Sequence, residues 1–213
     1  MLKSDKIVSP TTHKKIGKYE SAWWKLIRLG WHEDYLERLE VIEIQPVFIS
    51  RSKNMHIKHL STIVRAGVIM MTTLHDQRLY GFGVDKTYNQ LTDFAGGVKK
   101  YENAIEAALR EFSEETYGLF TKIPIQHVAD SMVIYDKHNL ILFLNIDSTM
   151  IDINDLSVAF QALKKEHQGK IEIDHIMWIT EQQLQYAIQY HTNFIYSRLR
   201  NFLDKAGNFT DFL

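Results

Sequence analysis

The sequence contains no cysteine among its 213 residues. This absence excludes disulfide frameworks, zinc sites built on thiolates, and catalysis by a cysteine nucleophile. A chain without cysteine is also compatible with a reducing compartment, so we expect an intracellular, cytoplasmic location.

Long apolar runs and a strong charge of either sign are missing as well. No stretch approaches the length of a membrane span, and the first residues lack the apolar run of a signal peptide, so we expect no membrane partner. The net charge is −1 and the pI about 6.8, a balance that does not by itself demand nucleic acid or lipid. Hydrophobic residues make up 45% and charged residues 24%, as in ordinary globular domains.

Hydrophobic periodicity predicts a mixed sheet covered by helices. Extended runs are predicted at 41–49, 65–73, 78–85, 128–135, 140–146 and 171–179, and helices at 18–39, 103–116, 155–165 and 181–203. A turn at His75-Asp76 is predicted between the second and the third extended run. Strands before and after a central helix, with another helix at the end, indicate the α/β class with a mixed sheet. We interpret residues 1–60 as an N-terminal extension (tail, helix, extended segment) and residues 61–213 as the main domain.

The central predicted helix carries an unusual cluster of acids. Glu111, Glu114 and Glu115 stand at i, i+3 and i+4, so they share one face within about one turn. Three like charges this close repel one another unless a cation lies among them, and carboxylate oxygens suit Mg²⁺ or Mn²⁺. The pair Gly96-Gly97 before the helix is predicted to break the regular structure, and it lets the backbone approach a ligand closely.

The same helix has a neighbouring apolar stripe. Ile105, Leu109 and Phe112 follow helical spacing, and we expect them to be buried against the sheet.

The segment from Gly96 to Phe120 resembles the Nudix box. That motif begins with a glycine, five residues of any type, a glutamate, seven residues of any type and Arg-Glu. It continues with an aliphatic residue, one further residue, Glu-Glu, one residue and a glycine. The matching positions here are Gly96, Glu102, Arg110, Glu111, Glu114 and Glu115, with Phe112 at the aliphatic position.

Two departures from the motif fall outside its core. Four residues separate Gly97 from Glu102, a loop one residue shorter than in many members. Two residues instead of one stand between Glu115 and Gly118. Both concern loop geometry more than metal binding. The later run 172–179, followed by Glu181, is similar to the late strand of Nudix domains, and the resemblance covers about residues 64–203.

The resemblance implies a Nudix-type α/β/α sandwich with an N-terminal extension. It also implies that Glu111, Glu114 and Glu115 bind Mg²⁺ or Mn²⁺, with a backbone carbonyl of Gly96 or Gly97 as an additional ligand. Glu102 and Arg110 would steady the loop and the helix. The general base would be one of the box glutamates or a later acid; the later candidates are Glu166, Glu172 and Asp174.

The function that follows from the resemblance is hydrolysis of a phosphoanhydride bond in a nucleoside diphosphate linked to another group. Two alternatives stay open at this point: removal of the mRNA cap, with RNA as partner, and a Nudix-fold module that binds nucleotides without turnover. Residues 18–39 contain three of the four tryptophans. So much aromatic surface has to be buried, either against its own domain or against a second copy of the chain. The resemblance favours the second, a homodimer to which this segment contributes.

Overall fold

The structure is a computed structural model. It describes residues 6–8, 15–17, 47–55, 60, 62–120, 123–147, 153–167, 172–190 and 193–212. The chain divides into two compact units, Met1–Gln45 and Pro46–Leu213. In the first unit, strands β1 (Lys6–Val8) and β2 (Lys15–Gly17) pair antiparallel. The helix predicted at 18–39 lies outside the described residues, and the predicted boundary at residue 60 stays a prediction.

The described residues of the second unit form a mixed sheet and five helices. Its strands are β3 (Phe48–Arg51), β4 (Arg65–Leu74), β5 (Gln77–Asp85), β6 (Leu91–Thr92), β7 (Phe94–Gly97), β8 (Met132–Tyr135), β9 (Asn139–Asn145) and β10 (Ile173–Thr180). Its helices are α1 (Ala104–Glu115), α2 (Ile125–Asp130), α3 (Ile153–Glu166), α4 (Glu181–Gln189) and α5 (Ser197–Lys205), with 3₁₀ turns at Ser52–Asn54 and Phe209–Phe212. Within the described part of the chain, no helix combines the length and the apolar character needed to cross a membrane.

The sheet has the strand order β10-β5-β4-β9-β8-β3. The central strands β4 and β9 run parallel and the other neighbours antiparallel. Strands β4 and β5 pair only near their shared hairpin. Farther along, β7 pairs with the first residues of β4 while β6 pairs with β5. The segment 91–97 therefore enters the sheet where β4 and β5 diverge.

Apolar side chains fill both faces of this sheet. On one face, residues of β4 and β9 pack with α1 and α3; on the other, residues of β5, β8 and β9 pack with α4 and α5. Helices thus cover both faces, and the predicted α/β class with α/β/α layering is confirmed.

Helix α1 lies on the sheet through small side chains rather than through the predicted stripe. Ala104, Ala107 and Ala108 are buried together with Phe112. Phe112 confirms the prediction, but Ile105 and Leu109 are only partly buried at the edge of this contact. Three alanines on the inner face allow the helix axis to approach the strands closely, which leaves the larger residues on the flanks.

Three other local predictions were wrong. Residues 128–130 belong to helix α2, so the strand predicted at 128–135 begins only at Met132. The single helix predicted at 181–203 is two helices, α4 and α5. Backbone bonds of Leu91 to Phe194 (2.8 Å) and Tyr196 (2.9 Å) form a parallel bridge that places Ile195 beside β6. Gly96 and Gly97, expected to break the chain, lie in strand β7.

Truncating Phe112 to alanine is expected to destabilise the fold strongly. Its ring packs against Phe94 (5.4 Å between centroids) and Phe120 (4.9 Å), and the side chain is fully buried. Removing a buried phenyl ring from such a site costs about 3–5 kcal/mol of unfolding free energy. Denaturant unfolding monitored by fluorescence would measure the loss. Val158→Ala, on the exposed face of α3, is the matched control and should change stability by less than about 0.5 kcal/mol.

Candidate active site

A capping box sets the first residue of the acidic helix. The Asn103 side chain accepts hydrogen bonds from the backbone N–H groups of Ile105 (2.9 Å) and Glu106 (3.1 Å). In return, the Glu106 carboxylate accepts from the Asn103 N–H at 2.8 Å. Because both ends of the first turn are satisfied in this way, α1 begins directly after the loop that follows Gly97.

Arg110 is the centre of the polar network on α1. Its Nε and Nη2 donate to the two carboxylate oxygens of Glu102 at 2.9 and 2.6 Å, and Nη2 also donates to the Gly97 carbonyl at 2.9 Å. Its Nη1 donates to Glu111 at 2.5 Å and to Glu114 at 3.2 Å. A guanidinium has five N–H groups. Arg110 therefore has an acceptor for each of them, and it joins strand β7, the loop and the helix.

Glu102 closes the loop between β7 and α1. Besides the two bonds from Arg110, its carboxylate accepts from the Lys99 backbone N–H at 2.7 Å. The hydrogen bond from Arg110, followed by the one from Lys99, lowers the pKa of Glu102 to about 2. Glu102 is therefore ionised throughout the neutral range and holds the loop as a fixed anion.

Gly96 is required by the position of Glu111. A Cβ atom built at residue 96 would overlap the Glu111 carboxyl group. The carboxylate thus lies directly against the backbone of β7, in a place that only glycine leaves open. Among the described residues, nothing would come within 4 Å of a Cβ atom built at residue 97, so the backbone of Gly97 is open on that side.

Glu115 reaches the free edge of strand β7. Its carboxylate accepts a hydrogen bond from the Ala95 N–H at 2.8 Å. Burial, and after it the neighbouring charge of Asp93, raise the pKa of Glu115 to about 8; the Ala95 bond opposes this, and Glu111 adds to it. An anion at Glu115 is therefore unfavourable unless a positive charge joins it.

An ion pair that the sequence did not predict lies near Glu115. Asp93 is fully buried and receives two bonds from Arg65, both at 2.8 Å. A carboxylate can be buried in this way only when a partner satisfies both of its oxygens. One signal was present in the sequence: an aspartate directly before Phe94, three positions before the glycine pair.

The oxygen donors of this site are of the kind that binds a hard divalent cation, but in this structure two of the carboxylates, Glu111 and Glu114, are bound to Arg110. In the described part of the chain, no three acidic or histidine side chains converge as a ready metal site. Arg110 holds Glu111 and Glu114, and the Lys99 ammonium lies 3.7 Å from Glu114. Carboxylates and exposed backbone carbonyls are nevertheless the ligands that Mg²⁺ and Mn²⁺ prefer. The unfavourable charge of Glu115 beside Glu111 and Asp93 is what such an ion would relieve.

The three later acids are not joined to the α1 glutamates by any hydrogen bond or ion pair among the described residues. Glu166 ends helix α3, and Glu172 precedes β10; both are exposed. Asp174 pairs with Lys164 (2.6 Å) and His175 (3.0 Å), and these contacts lower its pKa. The structure thus brings Glu102, in the loop before α1, together with Arg110 and the box glutamates of α1. The later acids lie on other elements.

The extra residue after Glu115 changes the end of α1. The N–H of Gly118 donates to the Ser113 carbonyl (2.7 Å) and that of Tyr117 to the Glu114 carbonyl (3.2 Å), the bonding pattern of a Schellman cap. Tyr117 takes the left-handed position at φ 54°, where glycine is usual, and Gly118 follows at φ 69°. The Tyr117 ring stacks on His167 at 5.2 Å, which holds the cap against α3.

No protein-family model and no curated protein sequence matches this chain. Among solved structures, two of C. elegans Ap4A hydrolase are similar, the second a binary complex. They are 16% and 17% identical, with TM-scores of 0.39 and 0.41; they cover 70% and 71% of this chain and 98% and 100% of their own. A mutT/nudix family protein from Listeria innocua is 13% identical with a TM-score of 0.38, covering 70% of this chain and 92% of its own. At these identities and TM-scores the likeness carries no conclusion about the site or the activity of this chain.

Replacing Glu115 by glutamine is expected to stabilise the metal-free protein. The amide oxygen can still accept from Ala95, while the buried charge beside Asp93 and Glu111 is removed. We expect a gain on the order of 1–3 kcal/mol, the cost of a poorly compensated buried polar group. Thermal unfolding in chelator at pH 8.5 would measure it. Glu114→Gln is the matched control, since Glu114 is 55% exposed and paired with Arg110; a similar gain there would contradict the assignment of strain to Glu115.

Proposed function

We propose that the protein is a Nudix-type hydrolase that cleaves a phosphoanhydride bond in a nucleoside diphosphate linked to another group, using Mg²⁺ or Mn²⁺. One observation carries this proposal: three glutamates on one face of α1 stand beside a glycine strand, with the Glu111 carboxyl against Gly96 and Arg110 bound to the Gly97 carbonyl. Carboxylates beside open backbone suit a metal-bound diphosphate, and an acidic helix with a purely structural role would gain nothing from their repulsion.

In this proposal the residues of the cluster are of two kinds, metal ligands and positioning residues. Glu111, Glu114 and Glu115 hold the cation, together with a carbonyl oxygen of Gly96 or Gly97. When bound, the divalent ion neutralises phosphate charge and lowers the pKa of a coordinated water. Arg110 orients Glu111 and Glu114, and Glu102 keeps Arg110 and the loop in place. Arg110 and Glu102 are therefore positioning residues.

Attack of water on phosphorus also needs a carboxylate that accepts the proton. Asp174 is poorly suited to this task because Lys164 and His175 already engage its carboxylate and lower its pKa. Glu166 and Glu172 are exposed on elements other than α1. We therefore assign the base to the glutamates of α1.

A nucleotide panel is the first test of this function. Release of nucleoside monophosphate from nucleoside diphosphates with different linked groups should require Mg²⁺ or Mn²⁺ and stop in excess chelator, because Arg110 is already engaged by Glu102, Glu111 and Glu114 and the phosphate charge needs a metal ion. Capped RNA in the same panel tests the decapping alternative. Binding of a nucleotide without product would support the non-catalytic module, and full turnover in chelator would contradict the metal mechanism.

Variants of the glutamate face test the site itself. Glu114→Gln and Glu115→Gln should each lower kcat by about a hundredfold or more, the scale of a lost charge-stabilising or acid–base group. Glu106→Gln is the matched control. Glu106 lies on the same helix and serves the capping box, which a glutamine side chain also completes. Steady-state kinetics should find this control near the wild-type rate; unchanged kcat in both test variants would show that the site lies elsewhere.

The homodimer proposed for the N-terminal segment stays a prediction, because residues 18–39 lie outside the described residues. Aromatic surface of this extent would be buried either in its own chain or against a second copy. Mass in solution, measured for the full chain and for a variant lacking residues 1–45, distinguishes the two. An unchanged number of subunits in the shortened protein would contradict a role of this segment in dimerisation.

A further inference from the structure

A pocket of about 220 Å³ lies on the sheet face covered by α5, opposite the face that carries α1. Three elements line it: the start of strand β4, the turn between β8 and β9 with the start of β9, and one side of helix α5. The lining residues are Arg65, Asp136, Asn139, Ile141, Arg198, Leu199, Asn201, Phe202 and Lys205. None of the glutamates of α1 belongs to it.

Positive charge dominates the polar part of this lining. Arg65, Arg198 and Lys205 stand against one carboxylate, Asp136. That carboxylate is already used by its own turn: one oxygen accepts from the N–H groups of His138 and Asn139, both at 2.7 Å. Asp136 is therefore a weak competitor for the cations of α5.

Two cations of α5, Arg198 and Lys205, keep unused side-chain donors among the described residues. Arg198 donates one bond of 3.2 Å to the Asn139 side chain, and no carboxylate pairs with it among the described residues. The ammonium group of Lys205, in the last turn of α5, has no hydrogen-bond or ion-pair partner in the described part of the chain. Arg65 faces the same space, but Asp93 takes up much of its charge. An anion would meet Arg198 and Lys205 first.

The floor of the pocket is apolar. Ile141, Leu199 and Phe202 form it, and Asn139 and Asn201 add amide groups near the rim. The volume corresponds to roughly seven water molecules at about 30 Å³ each, which is more than a bare anion needs. An apolar floor with a few converging polar groups is the usual make-up of a small-molecule site.

We propose that this pocket binds a phosphate monoester, with the phosphate between Arg198 and Lys205 and the organic part against Phe202 and Leu199. Guanidinium and ammonium groups are the side chains that recognise phosphate, the former through paired donors and the latter as a point charge. The pocket lies apart from the glutamate cluster, so this site does not depend on the hydrolase function proposed above.

Calorimetric titration with adenosine 5′-monophosphate in chelator tests the proposal. Without divalent ions the glutamates of α1 cannot retain a phosphate, so saturable binding would report the pocket. We expect adenosine, which lacks the phosphate, to bind at least tenfold more weakly. Inorganic phosphate should also bind more weakly, because it leaves the apolar floor empty.

The double variant Arg198→Ala with Lys205→Ala should weaken binding of the monophosphate at least tenfold without lowering the melting temperature, since both side chains lie at the rim. Lys165→Ala, an exposed cation of α3, is the matched control and should bind as the wild type does. Wild-type affinity in the double variant, equal affinity for adenosine, or no saturable binding at millimolar monophosphate would each overturn the proposal.

Discussion

The guanidinium of Arg110 is the interaction on which the candidate site depends. One planar group joins the Gly97 carbonyl on β7, the Glu102 carboxylate in the loop, and Glu111 and Glu114 on the helix. A lysine could not replace it, because a single ammonium cannot span acceptors that lie on several sides of a plane. The spacing of eight residues from Glu102 to Arg110 matters for this reason: it lets the side chain of Arg110, in the second turn of the helix, reach the loop acid.

A second constraint operates on the other side of Glu115. The buried Asp93 is satisfied by Arg65, whose two bonds of 2.8 Å compensate the desolvation of the carboxylate. The close approach of β4 and β7 leaves no room for a side chain at Gly67, where a Cβ would overlap Ala95 and the Asp93 carboxylate. The tight pairing and the buried ion pair therefore depend on one glycine in β4. Together they place a second negative charge near Glu115.

The sequence predicted those features that arise from local spacing. The span of α1, the shared face of its glutamates and the β4–β5 hairpin all follow from periodicity and from His75-Asp76, two residues that take positive φ in the turn. The features it did not predict depend on contacts distant in sequence. The break between α4 and α5 is held by Leu91, about a hundred residues earlier. The Arg65–Asp93 pair likewise joins residues of β4 and the β6–β7 link that no local pattern connects.

The buried alanines of α1 are a further feature that local spacing did not predict. Periodicity favoured the large residues Ile105 and Leu109 as the buried stripe, since burial stabilises roughly in proportion to apolar area. The sheet instead accepts Ala104, Ala107 and Ala108. A close helix brings the Glu111 carboxyl onto the backbone at Gly96, whereas a helix held off by leucines would keep the carboxylates away from β7. The close packing through alanines, which periodicity did not indicate, is thus the one that brings Glu111 onto β7.

The bonds of Arg110 also differ in how easily a cation could displace them. Glu102 is held by two donors at 2.6 and 2.9 Å and has the Lys99 N–H as a third partner. Glu114 is held by one bond of 3.2 Å and is 55% exposed. An incoming cation would therefore take Glu114 at the lowest cost, while Glu102 keeps Arg110 anchored to the loop. In the proposed metal-binding role, Glu114 would thus leave Arg110 while Glu102 keeps the support that positions the helix.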